Sequence, residues 1–188
     1  MEYFKKLVGE RIYLSPKSAS EEEIEKFTEW LNDFETTDYT GRSAQTMNVR
    51  KEKEYMENNY KNDSSFAIVT INEDKLIGTV SLEKVDNINR TATLGIFIGD
   101  KEYRSKGYGT EAIRLILDFG FNYMNLNNID LQVMSFNERA IKCYEKCGFK
   151  EYGRRKQSVF INGKYYDKIY MELLVENFNE NCITNKNI

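Results

Sequence analysis

The chain contains no histidine. That absence removes the side chain that most often acts as a general base near neutral pH and most often ligates transition metals. Proton transfer must then fall to Glu, Asp, Tyr, Cys, Lys or water. Cysteine is scarce. The three thiols, Cys143, Cys147 and Cys182, are an odd number with no disulfide framework. Cys143 and Cys147 can share a helix face, but no His and no further nearby Cys completes a zinc site, so no metal is expected. They read as small semi-buried thiols in a reducing compartment. No apolar run reaches membrane-spanning length and the first residues lack a signal-peptide core, which gives the expectation of a cytoplasmic protein with no membrane partner. An excess of positive charge is missing too. Lys and Arg total 27 against 30 Asp and Glu, a net charge of -3, which argues against a general nucleic-acid binder.

What is present fits one ordinary soluble domain: 188 residues, 40% hydrophobic and 30% charged. A first strand is expected over Arg11–Ser15, just before the single proline, Pro16. Ser20 followed by Glu23 reads as a capping box. Ile24, Phe27, Trp30, Leu31 and Phe34 recur at helical spacing and are assigned to the core, with the helix running from about Glu21 to Asn32. Glu35–Thr46 is polar and loop-like, and a second helix is expected over Val49–Tyr60.

The period then changes. Ser65–Ile71 and Leu76–Val85 read as a hairpin joined by Asn72–Lys75, and Thr91–Ile98 as a third strand after the turn Asp86–Arg90. A helix running to about Met124, a strand Ile129–Phe136 and a short helix Glu138–Lys146 follow. Asn137 caps that last helix and Gly148 ends it. Strands over Tyr152–Ile161 and Tyr165–Leu174 flank the turn Asn162-Gly163. The order predicts a mixed α/β sheet rather than uniform βαβ units. One domain is expected over 1–175, with an Asn-rich tail over 176–188 that frays. The exposed edges of the last hairpin are compatible with a homodimer.

The stretch Tyr103-Arg-Ser-Lys-Gly-Tyr-Gly-Thr110 carries the first chemical signal. A Walker A loop is excluded, because Lys106 precedes Gly107 and no Gly-Lys-Ser/Thr triplet exists. Gly107, Gly109 and Ala112 formally satisfy a dinucleotide fingerprint. Against it, the charged loop Asp100–Lys106 separates them from their strand, that strand belongs to a meander, and Asp130 begins the next strand instead of ending it. The third reading is an anion seat. Gly-x-Gly opening a helix presents free N–H groups to a pyrophosphate, with Arg104 and Lys106 supplying charge. A glycine-rich helix start without a ligand remains the plain alternative.

The strand Leu94-Gly-Ile-Phe-Ile98, the loop Arg104-Ser-Lys-Gly-Tyr-Gly109 and the block Asn137-Glu-Arg-Ala-Ile-Lys-Cys-Tyr-Glu-Lys-Cys-Gly-Phe149 together resemble the GCN5-related N-acetyltransferase (GNAT) family. The loop is similar to its R/Q-x-x-G-x-G/A acetyl-CoA motif, and the block to its N-x-x-A-x-x-x-Y-x-x-x-G-F signature. Phe160–Met171, Leu7–Leu14 and Trp30–Asp33 are similar to the ribosomal-protein and spermidine acetyltransferase branch. The resemblance spans Glu10 to about Leu174. It implies a mostly antiparallel sheet of about seven strands, splayed in the middle and flanked by about four helices.

The resemblance further implies acetyl transfer from acetyl-CoA to an amine, either a peptide N-terminus or a small amine such as a polyamine. A non-catalytic acyl-CoA sensor of the same fold is the alternative. Main-chain groups of Phe97 and Ile98 would meet the pantetheine arm, and an N–H within Ile96–Ile98 the oxyanion. Arg104, Ser105, Lys106, Gly107, Tyr108, Gly109 and Thr110 would hold the pyrophosphate. Asn137, Ala140 and Tyr144 share one helix face. Tyr144 would protonate the departing thiolate, with simple packing as its other role, and Asn137 would cap the helix and touch the cofactor. Many relatives carry a Glu on the strand holding Thr93 and Leu94. This chain has none there, so Glu83, Ser135 with a water, or a carboxylate of Glu35–Asp38 are the base candidates. Asp33, Glu35 and Asp38 are also candidates for attracting a cationic amine.

Overall fold

The computed structural model describes residues 3–59 and 63–184. Its spine is one eight-stranded sheet in the order β1-β2-β3-β4-β5-β6-β8-β7. The strands are β1 (Leu7–Val8), β2 (Ile12–Pro16), β3 (Ser65–Thr70), β4 (Leu76–Asp86), β5 (Thr91–Ile98), β6 (Asn128–Met134), β7 (Lys150–Ile161) and β8 (Lys164–Leu174). Neighbours run antiparallel except β5 and β6. The helices are α1 (Glu21–Asn32), α2 (Phe34–Thr37), α3 (Val49–Asn59), α4 (Tyr108–Asn122) and α5 (Glu138–Lys146). The class is the expected mixed α/β sheet. The additional strand is the two-residue β1, which is too short to show a period.

Strand alternation sends side chains to both faces. Ile12, Leu14, Phe66 and Ile68 pack beneath α4 and α5, while Tyr13, Ala67 and Val69 face α1 with Phe27 and Trp30. Gly99 follows β5 under the Trp30 indole, which occupies the space a Cβ would need. The Ser20 hydroxyl accepts from Glu23 N at 3.2 Å. The reciprocal bond of the capping box is displaced by one residue, because Glu23 Oε2 accepts from Ala19 N at 2.7 Å.

Three expectations need correction. Phe34 is not in the core: α1 ends at Asn32, the chain turns at Asp33, and Phe34 is 68% exposed at the start of α2. Glu35–Thr46 is not wholly loop, since α2 and a 3-10 turn at Asp38–Thr40 occupy its first half. Nor does the tail fray through residue 184. Phe178 meets the Phe121 ring at 5.2 Å between centroids, and Ile183 is buried. The Thr184 N–H donates to Val8 O at 2.7 Å. The end of the helix expected at Tyr60 and the last four tail residues lie outside the described residues.

A buried carboxylate fixes that tail. Asp118 Oδ2 accepts from Cys182 N at 2.6 Å and Ile183 N at 3.0 Å. Oδ1 accepts from Asn122 Nδ2 at 2.9 Å. Asp118→Ala strands two backbone donors, so a loss of about 2 kcal/mol in denaturant unfolding is expected, together with new protease cleavage after residue 176.

Candidate active site

The sheet opens between β5 and β6. They pair only at Thr91–Asn128, Ala92–Ile129 and Thr93–Asp130. Beyond that point β6 turns to β8 alone, and β5 continues beside β4. Gly99 N–H donates to Ile77 O on the β4 side at 2.9 Å. By antiparallel alternation the polar groups of Ile96 and Ile98 then face the opening, and those of Phe97 face β4. Phe97 O lies against Gly78, where a Cβ would collide with it. The Phe97 main chain is therefore turned away from the opening, contrary to expectation, and its ring packs edge-on to Phe27 and Trp30.

A cleft of about 1070 Å3 occupies this opening. One arm reaches the glycine loop at Ser105, Gly107, Gly109 and Thr110, and another reaches Lys17, Glu52 and Glu83. Gly107 caps α4 at φ 89, in the region where a side chain strains the backbone. A Cβ there would also sit 3.1 Å from Arg11 Nη2. The first intrahelical bond runs from Glu111 N to Gly107 O at 3.1 Å. The Tyr108, Gly109 and Thr110 N–H groups thus lie in the first turn with no intrahelical acceptor, as an anion-binding helix start requires. The loop fits a pyrophosphate.

Arg104 does not point at that seat. Its side chain is 8% exposed. Nε donates to Ile98 O at 2.9 Å, and Nη2 to Gly99 O at 2.9 Å and Thr36 Oγ1 at 2.6 Å. Nη1 lies 3.4 Å from Glu35 Oε1. It ties the end of β5 to α2. Lys106 is exposed and does not line the cleft, and Tyr108 lies outside the lining with its ring 4.6 Å from the Arg11 guanidinium.

The loop is braced by residues that sequence reasoning passed over. Glu111 Oε1 accepts from the N–H groups of Glu10 at 2.9 Å and Arg11 at 2.8 Å, and Oε2 pairs with Arg11 Nε at 2.9 Å. Arg11 Nη1 closes the brace on Lys106 O at 3.0 Å. The partners are 100 residues apart, and no local pattern marks them.

Helix α5 supplies the opposite wall. Asn137 is buried and its Oδ1 accepts from Ala140 N at 3.2 Å, which leaves its amide nitrogen for the cleft. Asn137, Ala140 and Tyr144 line one side together. Tyr144 packs against Phe149, and among the described residues its hydroxyl has no hydrogen-bond partner. Burial, followed by the neighbouring Cys143 and Cys147, pushes the Tyr144 phenol above its ordinary range, so it stays protonated. Cys143 Sγ lies 3.2 Å from Thr110 Oγ1. Hydrogen bonds from Cys147 and Thr110 lower the Cys143 thiol against the opposing effect of burial.

The base candidates separate clearly. Ser135 Oγ accepts from Asp167 N at 3.2 Å and does not line the cleft. Asp33 and Glu35 pair with Lys101 at 3.2 and 2.8 Å. Burial opposes it, but hydrogen bonds from Thr36 and Lys101 hold the Asp33 carboxyl below its usual range. Asp38 takes the Ser43 hydroxyl. Glu83 lines the cleft, accepts from Ser81 Oγ at 3.1 Å, and fills the space above Gly95, where a Cβ would meet its Oε1 at 3.1 Å.

A split β5/β6 opening, a glycine-loop helix start that fits an anion at one end and a phenol on the facing helix are compatible with a coenzyme A-dependent acyltransferase. Known proteins agree. The model of the acetyltransferase (GNAT) domain matches residues 11–150. The probable N-acetyltransferase YjcK of Bacillus subtilis is 31% identical over 177 residues, 89% of this chain and 96% of the relative. The spermidine N(1)-acetyltransferase of Vibrio cholerae is 38% identical over 102 residues, 54% of this chain and 58% of its own. The crystal structure of spermidine N-acetyltransferase from Vibrio cholerae in complex with CoA and spermine superposes with a TM-score of 0.79 at 26% identity, covering 88% of this chain and 96% of that one. The chain belongs to the GNAT acetyltransferase family. Its reaction is the acetyl-CoA-dependent acetylation of an amine. Among the described residues no helix is long and apolar enough to cross a membrane.

Proposed function

We propose that the chain acetylates a primary amine, a small-molecule amine or a peptide N-terminus, by direct attack within the β5/β6 opening. The observation that carries this reading is the cleft itself, which joins the glycine loop to the Glu83 arm past Ile96, Ile98 and Tyr144. The N–H groups of Tyr108, Gly109 and Thr110 hold the pyrophosphate. The polar groups of Ile96 and the N–H of Ile98 hold the pantetheine arm, with an N–H there to meet the developing oxyanion. Tyr144 donates its proton to the departing thiolate, and its raised pKa suits a donor better than a base. Glu83, directly or through a water, takes the proton from the attacking amine. Its position above Gly95 supports this role, in a chain with no carboxylate on β5 itself.

Acceptor recognition belongs to the arm lined by Lys17, Glu52, Tyr55 and Glu83. Asp33 and Glu35 are already spent on Lys101 and Arg104. Self-association is placed at the free edge β7, where Phe160 and the facing Tyr165 are 61% and 64% exposed. The test is an acceptor screen with acetyl-CoA that reads free thiol, spanning polyamines, amino sugars and peptides with varied N-termini. Thiol release with at least one amine, together with an acetylated product by mass, is expected. Acetyl-CoA binding without transfer to any amine would overturn the reading.

A further inference from the structure

The acceptor arm ends on a bare oxygen. Glu52 of α3 lines the cleft and is 3% exposed, and among the described residues its buried Oε2 has no hydrogen-bond partner. Lys17 and Arg42 face it electrostatically, but among the described residues neither makes an ion pair with it. The Lys17 ammonium sits instead 5.5 Å from the centroid of the Phe27 ring. Burial pushes the Glu52 carboxyl above its ordinary range, Lys17 and Arg42 pull it back, and Glu23 adds to the rise. A carboxylate desolvated in a cleft wall and left unpaired is costly. A donor that arrives with the substrate removes the cost, and a cationic donor makes the stronger bond.

The second carboxylate of this arm is already assigned. Glu83 stands over Gly95, beside the strand where the reacting amine meets the thioester. Glu52 lies on a different element, α3, on the wall near Tyr55. Two carboxylates from separate elements lining one cleft match a ligand with two nitrogens, one losing its proton to react and the other keeping its charge. We infer that Glu52 is a specificity residue that receives a second, cationic nitrogen of the acceptor. The preferred substrate class is then a primary amine that carries another ammonium within the same molecule. Such chemistry comes from a free diamine or polyamine, or from a peptide whose N-terminal residue is followed by a lysine. The inference rests on the cleft being the site of acetyl transfer.

The test compares initial rates at saturating acetyl-CoA for short α,ω-diamines, monoamines of equal length, and peptides with lysine or norleucine in second position. Each is measured with the unaltered chain and with Glu52→Gln, a near-isosteric change whose fold is checked by unchanged acetyl-CoA affinity. Glu52→Gln is expected to raise KM for the doubly cationic acceptors about tenfold, with kcat little altered and the monoamine constants unchanged. The diamine and lysine-peptide arms show which source is used. Equal KM shifts for monoamine and diamine, or no shift for either, would overturn the inference. If no amine turns over, acetyl transfer itself fails. Calorimetric binding of the same diamine and monoamine pair, with and without Glu52→Gln, then decides the role of Glu52 separately, by the same criterion.

Discussion

Tyr144→Phe is expected to lower kcat by about two to four orders of magnitude while leaving acetyl-CoA affinity within about twofold. The ring is what packs: it meets Phe149 edge-on at 6.0 Å, and phenylalanine keeps that contact. The hydroxyl makes no hydrogen bond to the protein among the described residues, so removing it strands no partner. Its contribution is the proton it gives to the departing sulfur. A tyrosine normally titrates near ~10, and burial moves this one higher. Tyr144 therefore adds no alkaline limb to the kcat profile below that value. Full turnover of Tyr144→Phe at every pH would reduce the residue to packing.

Arg104→Met should cost about 3 kcal/mol and lower the melting temperature by about 6–12 °C. The guanidinium donates to Ile98 O, Gly99 O and Thr36 Oγ1, and it also reaches Glu35. Methionine fills the volume but leaves these acceptors without their donor at the mouth of the cleft. Because the side chain braces β5 without facing the phosphate seat, acetyl-CoA should bind more weakly but with an unchanged dependence on ionic strength. A direct phosphate contact predicts the opposite pair of results, a reduced salt slope with stability retained. Thermal melts and cofactor titrations at two salt concentrations separate the two.

Arg104 marks where the sequence stopped being legible. Its neighbourhood was readable because helix and strand periods are local. Thr91–Ile98 and Glu138–Lys146 occupy their expected residues, Asn137 caps as expected, and Gly148 turns at φ 94. The direction of a long side chain is set by partners far along the chain, however. Arg104 turns away from the phosphates because Thr36 and Glu35, 68 and 69 residues earlier, offer it acceptors. The Arg11–Glu111 brace and the Asp118 clasp on the tail were hidden for the same reason. Phe34 was misplaced because its helical spacing continued past Asp33, where the backbone turns extended at ψ 117 and breaks the period. Glu52 is one of several charges in the polar helix α3, and nothing local marks it for burial; it is buried where α3 packs against α1.

The most direct test of acetyl transfer in the β5/β6 opening is initial-rate kinetics with acetyl-CoA and the amine both varied. Direct attack requires both substrates in the cleft at once, which gives intersecting reciprocal plots and no acetyl group left on the protein. The competing route is an acyl-enzyme, for which Cys143 is a thiol beside the loop, with Sγ 3.2 Å from Thr110 Oγ1. Parallel plots, with acetyl retained on Cys143 in the absence of amine, would contradict direct transfer.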